Sequence, residues 1–183
     1  MPSQLFLLKL YPTLKTKCLT LRRPYLTDVD DIFRCTGDIN VCRFENWDVH
    51  KSEIETLSFI NSLMCRFDEN TCTDWIIERK KDKHAIGMIN LHNIDKEEKT
   101  AEIGYWIARD CWGNNYATEA VSSLLNFAFK NLKLTCIYGL CHNQNKASLR
   151  VMEKCGMTFL RSEDIYFNKE KRMTELYIYS ISK

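Results

Sequence analysis

The sequence has few of the residues that divide a chain into separate parts. Its 183 residues include only three prolines and six glycines. No linker rich in Pro, Gly or Ser interrupts it, and it contains no low-complexity segment or internal repeat. These absences predict a single domain over residues 1–183, long enough to bury a sizeable core.

Long hydrophobic runs and an excess of charge of one sign are also missing. The N-terminal segment MPSQLFLLKLYP is too short to span a bilayer and has neither a basic leader nor a small-residue cleavage site. We interpret it as a lead-in strand or arm, and we expect a cytoplasmic protein without a membrane partner. The 26 basic and 24 acidic residues leave a formal net charge of +2, which argues against a nucleic-acid partner.

Cysteine is plentiful, but none of the nine cysteines belongs to a C-x-x-C pair. They are scattered through apolar segments, and their number is odd. This pattern predicts reduced, core-filling thiols and no metal site. The patterns G-x-G-x-x-G and G-x-x-x-x-G-K-[ST] are absent too, which argues against a doubly wound nucleotide-binding domain.

Hydrophobic spacing predicts an α/β (α+β) fold with a mixed sheet. Alternation, apolar runs and flanking turns predict strands near 19–22, 75–79, 85–93, 100–108, 134–142, 159–167 and 172–181, and helical periodicity predicts helices near 26–36, 52–67, 117–128 and 146–155. The helix that follows strand 100–108 makes that strand parallel to strand 134–142. The remaining neighbours form hairpins, so we expect a mostly antiparallel sheet with helices on both faces.

Three helix-end signals accompany this pattern. Thr27 is predicted to cap the first helix, and Ser52 with Glu55 to form a capping box on the second. Gly156 is predicted to end the last helix.

The turn between strand 100–108 and the following helix is the best candidate for a binding site. It contains Gly113, Asn114 and Asn115, and the helix that it opens has Thr118 in its first turn. The first N–H groups of a helix lack intrahelical acceptors, and the helix dipole adds positive potential, so this turn suits a phosphate. An ordinary strand–helix turn has the same spacing, and both interpretations stay open.

Two polar residues near the next helix start are further candidates. Asn145 suits the N-cap of the helix at 146–155, and Ser148 lies about one turn away on the same face. Ligands of such sheets bind at the carboxyl ends of parallel strands, so both side chains are candidates for ligand contact. The alternative is a plain helix cap.

Glu102, within strand 100–108, is the candidate general base, acting directly or through a water. Alternation places it on the strand face opposite Ile103 and Tyr105. The alternative is an exposed strand glutamate. We interpret Tyr105 and Trp106 as packing or pocket-wall residues.

Three segments taken together resemble a known family. EIGYWI, CWGNNYATEAVSSLLNFAF and NQNKASLRVMEKCGM are similar to the GNAT N-acetyltransferases, and most similar to the Rim-type ribosomal-protein N-terminal acetyltransferase group. That group usually has W-G-x-G-Y-A-T-E-A at the turn and N-x-x-S-x-R-V-x-E-K-x-G-F in the late helix. The segments LTLRRPYLTDVDDIF and INVCRFENW match its N-terminal half, so the resemblance covers about residues 17–180.

The resemblance implies acetyl-CoA as co-substrate, bound in a V-shaped gap where strands 100–108 and 134–142 splay apart. It implies that the pantetheine arm is held by backbone groups around Ile107, Ala108 and Arg109 and by the side chain of Asn145. It further implies that Ser148 stands near the thioester sulfur as a general acid. The residues implied to hold the pyrophosphate are Trp112, Gly113, Asn114, Asn115, Tyr116, Ala117 and Thr118.

These implications predict an acetyl-CoA-dependent N-acetyltransferase that needs no metal and acts as a monomer or homodimer. Its acceptor is predicted to be a protein N-terminal α-amine or a small amine, held between the two N-terminal helices and the closing hairpin. An α-amine, with a pKa of about 8, needs a weaker base than a lysine amine, which fits a chain whose best candidate base is Glu102. The alternative is a non-catalytic acyl-CoA-binding or regulatory module, because Asn115 stands where the family usually has glycine.

Overall fold

The computed structural model describes residues 12–69, 73–167 and 169–183. The strands in this part of the chain are β1 Leu14–Lys15, β2 Leu19–Arg22, β3 Asp74–Arg79, β4 Ala85–Asp95, β5 Thr100–Ile107, β6 Cys136–His142, β7 Thr158–Phe167 and β8 Arg172–Ser182. The α-helices are α1 Val29–Thr36, α2 Ile39–Cys42, α3 Glu53–Asp68, α4 Tyr116–Lys130 and α5 Lys146–Lys154. Single 3-10 turns precede α1, at Leu26–Asp28, and α4, at Arg109–Cys111.

The eight strands form one sheet in the order β1-β2-β3-β4-β5-β6-β8-β7. Only β5 and β6 pair in parallel, and the other neighbours are antiparallel. The predicted mixed, mostly antiparallel sheet is therefore confirmed. Sequence reasoning found the parallel pair because a helical crossover separates these two strands.

Successive residues of a strand point to opposite faces of the sheet, so their contacts show which helices cover each face. Trp75 on β3 contacts Phe127 of α4, with ring centroids 5.9 Å apart, and Tyr105 on β5 contacts Ser148 of α5. Trp106, one residue further along β5, faces the opposite side and lies 6.2 Å from Trp47, in the segment between α2 and α3. Helices α4 and α5 therefore cover one face, and the N-terminal helices cover the other.

The parallel pair separates soon after it forms. The register joins Thr100 to Cys136 and Glu102 to Tyr138, and the β5 residues after Glu102 have no partner on β6. Strand β6 turns instead to β8, which it follows along its whole length. The gap that opens between β5 and β6 is the feature that positions the site.

The structure corrects the prediction for the first helix start. Thr27 lies inside the 3-10 turn and caps nothing, because the carboxylate of Asp28 accepts the N–H of Tyr25 and organises the turn instead. The short helix α2, capped by Asp38, is an element that the periodicity missed, since one turn carries no repeat.

The structure supports the other two predicted helix ends, one of them only in part. Ser52 Oγ accepts the N–H of Glu55 at 3.4 Å, but the Glu55 carboxylate accepts from Lys51 N–H instead of closing the box on Ser52. Gly156, with φ of +83°, follows the last turn of α5 as predicted. The predicted N-terminal arm, residues 1–11, lies outside the described residues, as does Asn168 in the turn between β7 and β8.

Candidate functional site

Two cavities flank the end of β5, on opposite sides of the splayed strand. The first, of about 580 Å³, lies in the gap between β5 and β6, and we name it the splay cavity. The second, of about 500 Å³, lies between β4, β5 and the N-terminal helices, and we name it the helix-side cavity. The residues that line both are Glu45, Tyr105 and Trp106, so the two cavities meet there.

The turn before α4 forms one wall of the splay cavity and has an unusual backbone. Gly113 and Asn115 both have positive φ, +78° and +60°. The Trp112 indole donates to the Ile107 carbonyl at 2.8 Å, and the Asn114 amide donates to the carbonyls of Cys111 and Trp112. These bonds fix the turn from within, so it is shaped before any ligand arrives.

The start of α4 offers unpaired donors to this cavity. Asn115 occupies the N-cap position, but its side chain does not cap the helix and instead accepts from Lys154 Nζ at 2.9 Å. A ligand anion can satisfy the first N–H groups of the helix in its place. Four basic side chains also line the cavity, namely Arg43, Lys146, Arg150 and Lys154, against Glu45 as the one acidic residue among the described lining.

On the opposite wall, Ser148 is held by its neighbours. Its N–H donates to Asn145 Oδ1 at 3.2 Å, so Asn145 is the N-cap of α5. The hydroxyls of Ser148 and Tyr105 lie 2.7 Å apart, and Tyr105 also donates to the Ser148 carbonyl at 3.1 Å. Burial raises the pKa of Tyr105 well above its ordinary value, and that of neighbouring Cys141 to about 11. Both groups are neutral near pH 7.

Most of the predicted binding residues share this cavity. Its lining includes Ile107, Trp112, Gly113, Asn115, Tyr116, Ala117, Thr118, Asn145 and Ser148. Ala108, Arg109 and Asn114 are not among its described lining residues. Ala108 N–H donates to Ile86 on β4, and the carbonyls of Ala108 and Arg109 accept from Cys111 and Trp112.

Glu102 lines neither cavity, although its partner His92 lines the helix-side cavity. Glu102 sits where β5 and β6 are still paired, opposite Tyr138. Its carboxylate accepts from Asn93 at 3.0 Å and lies 3.2 Å from His92 Nε2. The hydrogen bond from His92 lowers the pKa of Glu102, which makes it a weaker base.

The helix-side cavity has aromatic walls and a polar floor. Trp47, Phe59 and Trp106 line its sides, with Thr36 and Arg66 from α1 and α3. On the floor, Asp74 accepts from Asn90 at 2.9 Å and pairs with Arg66 at 3.4 Å. Gly104 opens this floor, because a Cβ there would lie 2.6 Å from Asn90 Oδ1. The predicted N-terminal helices therefore contribute, whereas the described lining includes no residue of the closing hairpin.

Glu45 is a site residue that sequence reasoning missed. It lies half-buried in the segment between α2 and α3, at the junction of the two cavities. Burial raises its pKa to about 7, while a hydrogen bond with Trp47 and the charge of Lys169 act in the opposite direction. It lies within INVCRFENW, which carries part of the family resemblance, but that resemblance implied no role for it, and a glutamate in an irregular segment has no periodicity to reveal one.

Comparison with known proteins now decides the family. Residues 19–158 match the acetyltransferase (GNAT) domain, which is most of the chain. The chain belongs to the GNAT acetyltransferases. YoaA of Bacillus subtilis, described as an uncharacterized N-acetyltransferase, is 31% identical over 147 residues, covering 80% of this chain and 83% of YoaA.

Solved structures agree on the GNAT fold. The crystal structure of a GNAT acetyltransferase from Bacillus anthracis is 26% identical, with a TM-score of 0.82 over 93% of this chain and 98% of that one. RimL, described as a ribosomal L7/L12 α-N-protein acetyltransferase in complex with coenzyme A, has a TM-score of 0.78 at 16% identity, over 93% and 98% of the two chains. The GNAT family uses acetyl-CoA, so this chain is an acetyl-CoA-dependent N-acetyltransferase. The expected Rim-type similarity is confirmed.

Two kinds of feature are absent from the described residues. No described helix is long and apolar enough to cross a membrane. The described His, Cys, Asp and Glu residues form no group of three that could hold a metal ion.

Proposed function

We propose that this acetyltransferase transfers the acetyl group to a protein N-terminal α-amine or to a small primary amine that enters through the helix-side cavity. The observation that carries the proposal is the meeting of two cavities at Tyr105 and Trp106. One cavity is basic and lined by a helix N-terminus, and the other has aromatic walls and a polar floor. Two substrates that approach a strand from opposite sides come into contact only at such a junction.

In this proposal, acetyl-CoA occupies the splay cavity. The turn at 112–118 and the N–H groups of the first turn of α4 hold the pyrophosphate, and the four basic side chains balance the charge of the phosphates. Asn145 and the β5 edge around Ile107 border the pantetheine arm. The fit is supported by the positive φ at Gly113 and Asn115, which widens the turn without a blocking side chain at Gly113.

The backbone of β5 is suited to stabilise the oxyanion that forms during transfer. Ala108 N–H bonds to β4, so the alternate residues Tyr105 and Ile107 direct their N–H groups toward the open gap. Neither N–H group has a partner on β6, whose register with β5 ends at Glu102. Of these two residues, Tyr105 lines both cavities and Ile107 lines one, which favours the Tyr105 N–H. We assign that N–H to the acetyl carbonyl oxygen.

The chemistry is direct transfer. The amine nitrogen attacks the thioester carbon, the new C–N bond forms, and the C–S bond breaks with its electron pair on sulfur. The nitrogen loses a proton to solvent as the amide forms. Ser148 donates a proton to the leaving thiolate and is reprotonated from solvent through the hydroxyl of Tyr105, 2.7 Å away. The Glu102 carboxylate, outside both cavities, takes no part in this proposal.

Purified protein incubated with acetyl-CoA and a panel of amines tests the proposal. The panel pairs peptides that have a free α-amine with the same peptides blocked at that amine but containing lysine, and adds small mono- and diamines. Coenzyme A is measured by chromatography, because the exposed Cys65 would react with a thiol reagent. Acetylation of α-amines or of small amines is the expected result.

Two outcomes would contradict the proposal. Turnover of lysine side chains alone would overturn the acceptor assignment. Binding of coenzyme A in a calorimeter without turnover of any amine would favour the non-catalytic module instead.

A further inference from the structure

The junction of the two cavities contains one carboxylate, that of Glu45. It is the single acidic residue among the described lining of the splay cavity, and it also lines the helix-side cavity. The other acidic residue of the helix-side lining, Asp74, is already engaged by Asn90 and Arg66. Glu45 is therefore the carboxylate with access to both substrates.

The segment that carries Glu45 is held in place on both sides. The Glu45 N–H donates to the Cys42 carbonyl at 3.1 Å, which continues the turn of α2. From the β7–β8 hairpin, Lys169 Nζ donates to the same carbonyl at 2.5 Å, and Lys169 N–H donates to Asn46 Oδ1 at 3.3 Å. A carboxylate on a segment anchored in this way keeps its position while substrates come and go.

We propose that Glu45 is the general base of the transfer and removes the proton from the acceptor ammonium at the point where the cavities meet. This assignment rests on the proposed function above. The proton passes from the ammonium nitrogen to a Glu45 carboxylate oxygen, directly or through one water, and frees the lone pair that attacks the thioester carbon. Glu45 then releases the proton to solvent after the acetylated product leaves.

The surroundings of Glu45 suit this task. Burial disfavours its ionised form, and the charge of Lys169 and the hydrogen bond with Trp47 favour it, so that it titrates near neutral pH. The remaining titratable groups that interact with it are the Tyr105 hydroxyl and the thiols of Cys42 and Cys141, all with pKa values raised by burial. These neighbours are neutral at pH 7 and do not compete for the proton.

The test compares Glu45→Gln with the parent and with a matched control, Asp48→Asn. Asp48 is an exposed acid three residues further along the same segment. At pH 7 we expect Glu45→Gln to lower kcat by about 100-fold or more, with unchanged coenzyme A affinity in calorimetry. Asp48→Asn should leave both values at the parental level, and Glu45→Asp should restore part of the rate.

The pH profile separates a base from a structural residue. In the parent, kcat should rise with pH, with a midpoint near pH 7. This midpoint should not change when the peptide's first residue is replaced by β-alanine, whose amine is more basic. In Glu45→Gln, the midpoint should instead follow the pKa of the acceptor amine. Glu45→Gln should also melt at a higher temperature than the parent at pH 8, because the parent must keep a half-buried carboxyl ionised there.

Other outcomes would show whether the proposed function or only the role of Glu45 is wrong. If the parent acetylates no amine, the proposed function fails and the assignment of Glu45 fails with it. If the parent turns over and Glu45→Gln matches its kcat at pH 7, only the role of Glu45 is wrong. If Glu45→Gln loses coenzyme A affinity by the same factor as it loses kcat, Glu45 is a structural part of the splay cavity and not the base.

Discussion

Asn115 combines two roles that a glycine would not have. Its φ of +60° is a left-handed conformation, which costs a non-glycine residue roughly 1–2 kcal/mol and asparagine less than most. Its side chain also accepts from Lys154 Nζ at 2.9 Å, so it draws toward itself a cation that lines the splay cavity. In the proposed binding mode, the residue that departs from the family pattern therefore competes with the ligand for a positive charge.

Asn115→Gly is expected to bind coenzyme A more tightly, by several-fold. The substitution relaxes the turn and frees Lys154 for the phosphates. Calorimetry with coenzyme A checks this, and Lys154→Met should weaken binding in the same assay. An unchanged affinity in Asn115→Gly would show that Lys154 does not reach the ligand.

Ser148 is the second residue whose role can be measured by itself. Ser148→Ala removes the hydroxyl that faces Tyr105 but keeps the carbonyl to which Tyr105 also donates, so the local fold should persist. We expect kcat to fall by about 100-fold with coenzyme A affinity unchanged. Ser58→Ala, in an exposed position on α3, is the control. Equal kcat values in Ser148→Ala and the parent would remove Ser148 from the proposed mechanism.

At the scale of elements, the sequence predicted the helices and strands that are long enough to show a repeating pattern of apolar residues. The apolar periodicity of α4 and the strand patterns of β3 to β6 predicted the sheet and the crossover, whereas the gap beside β5 was implied only by the family resemblance. Single-turn features were missed, as Thr27 and α2 show, because their hydrogen bonds depend on side chains such as Asp28 and Asp38. Sequence spacing also could not show that Glu45 lines the two cavities and Glu102 lines neither, because packing decides which side chains line a cavity.

Substitutions at Gly104, within β5, and at Gly113, in the turn before α4, should distinguish acceptor binding from coenzyme A binding. Gly104→Ala places a Cβ 2.6 Å from Asn90 Oδ1 on the floor of the helix-side cavity, so it should raise the acceptor KM with coenzyme A affinity unchanged. Gly113→Ala meets no atom within 4 Å but is strained at φ of +78°, so it should weaken coenzyme A binding. Steady-state kinetics and calorimetry on both variants check this, and the reverse pattern would exchange the roles of the cavities.

At the scale of the whole molecule, one buried ion cluster ties the N-terminal helices to the sheet. Arg22 on β2 bonds both carboxylate oxygens of Asp28, at 2.7 and 2.9 Å, and Glu78 on β3 at 2.6 Å. The side chains of Arg22 and Asp28 are only 12% and 4% exposed. Asp28 stands directly before α1, which contributes to the helix-side cavity, so this cluster helps to hold that cavity against the sheet.

Arg22→Met should therefore lower the free energy of unfolding by about 3–5 kcal/mol at pH 7, because it leaves the buried Asp28 carboxylate without its cation and Glu78 with Lys83 alone, 3.6 Å away. Chemical denaturation measures the loss. Arg161→Met removes an exposed pair with Glu163, 55% and 43% exposed, and should cost less than about 1 kcal/mol. A deficit as small as that of Arg161→Met would mean that apolar packing alone fixes the N-terminal helices, and the helix-side cavity would then keep its shape without the cluster.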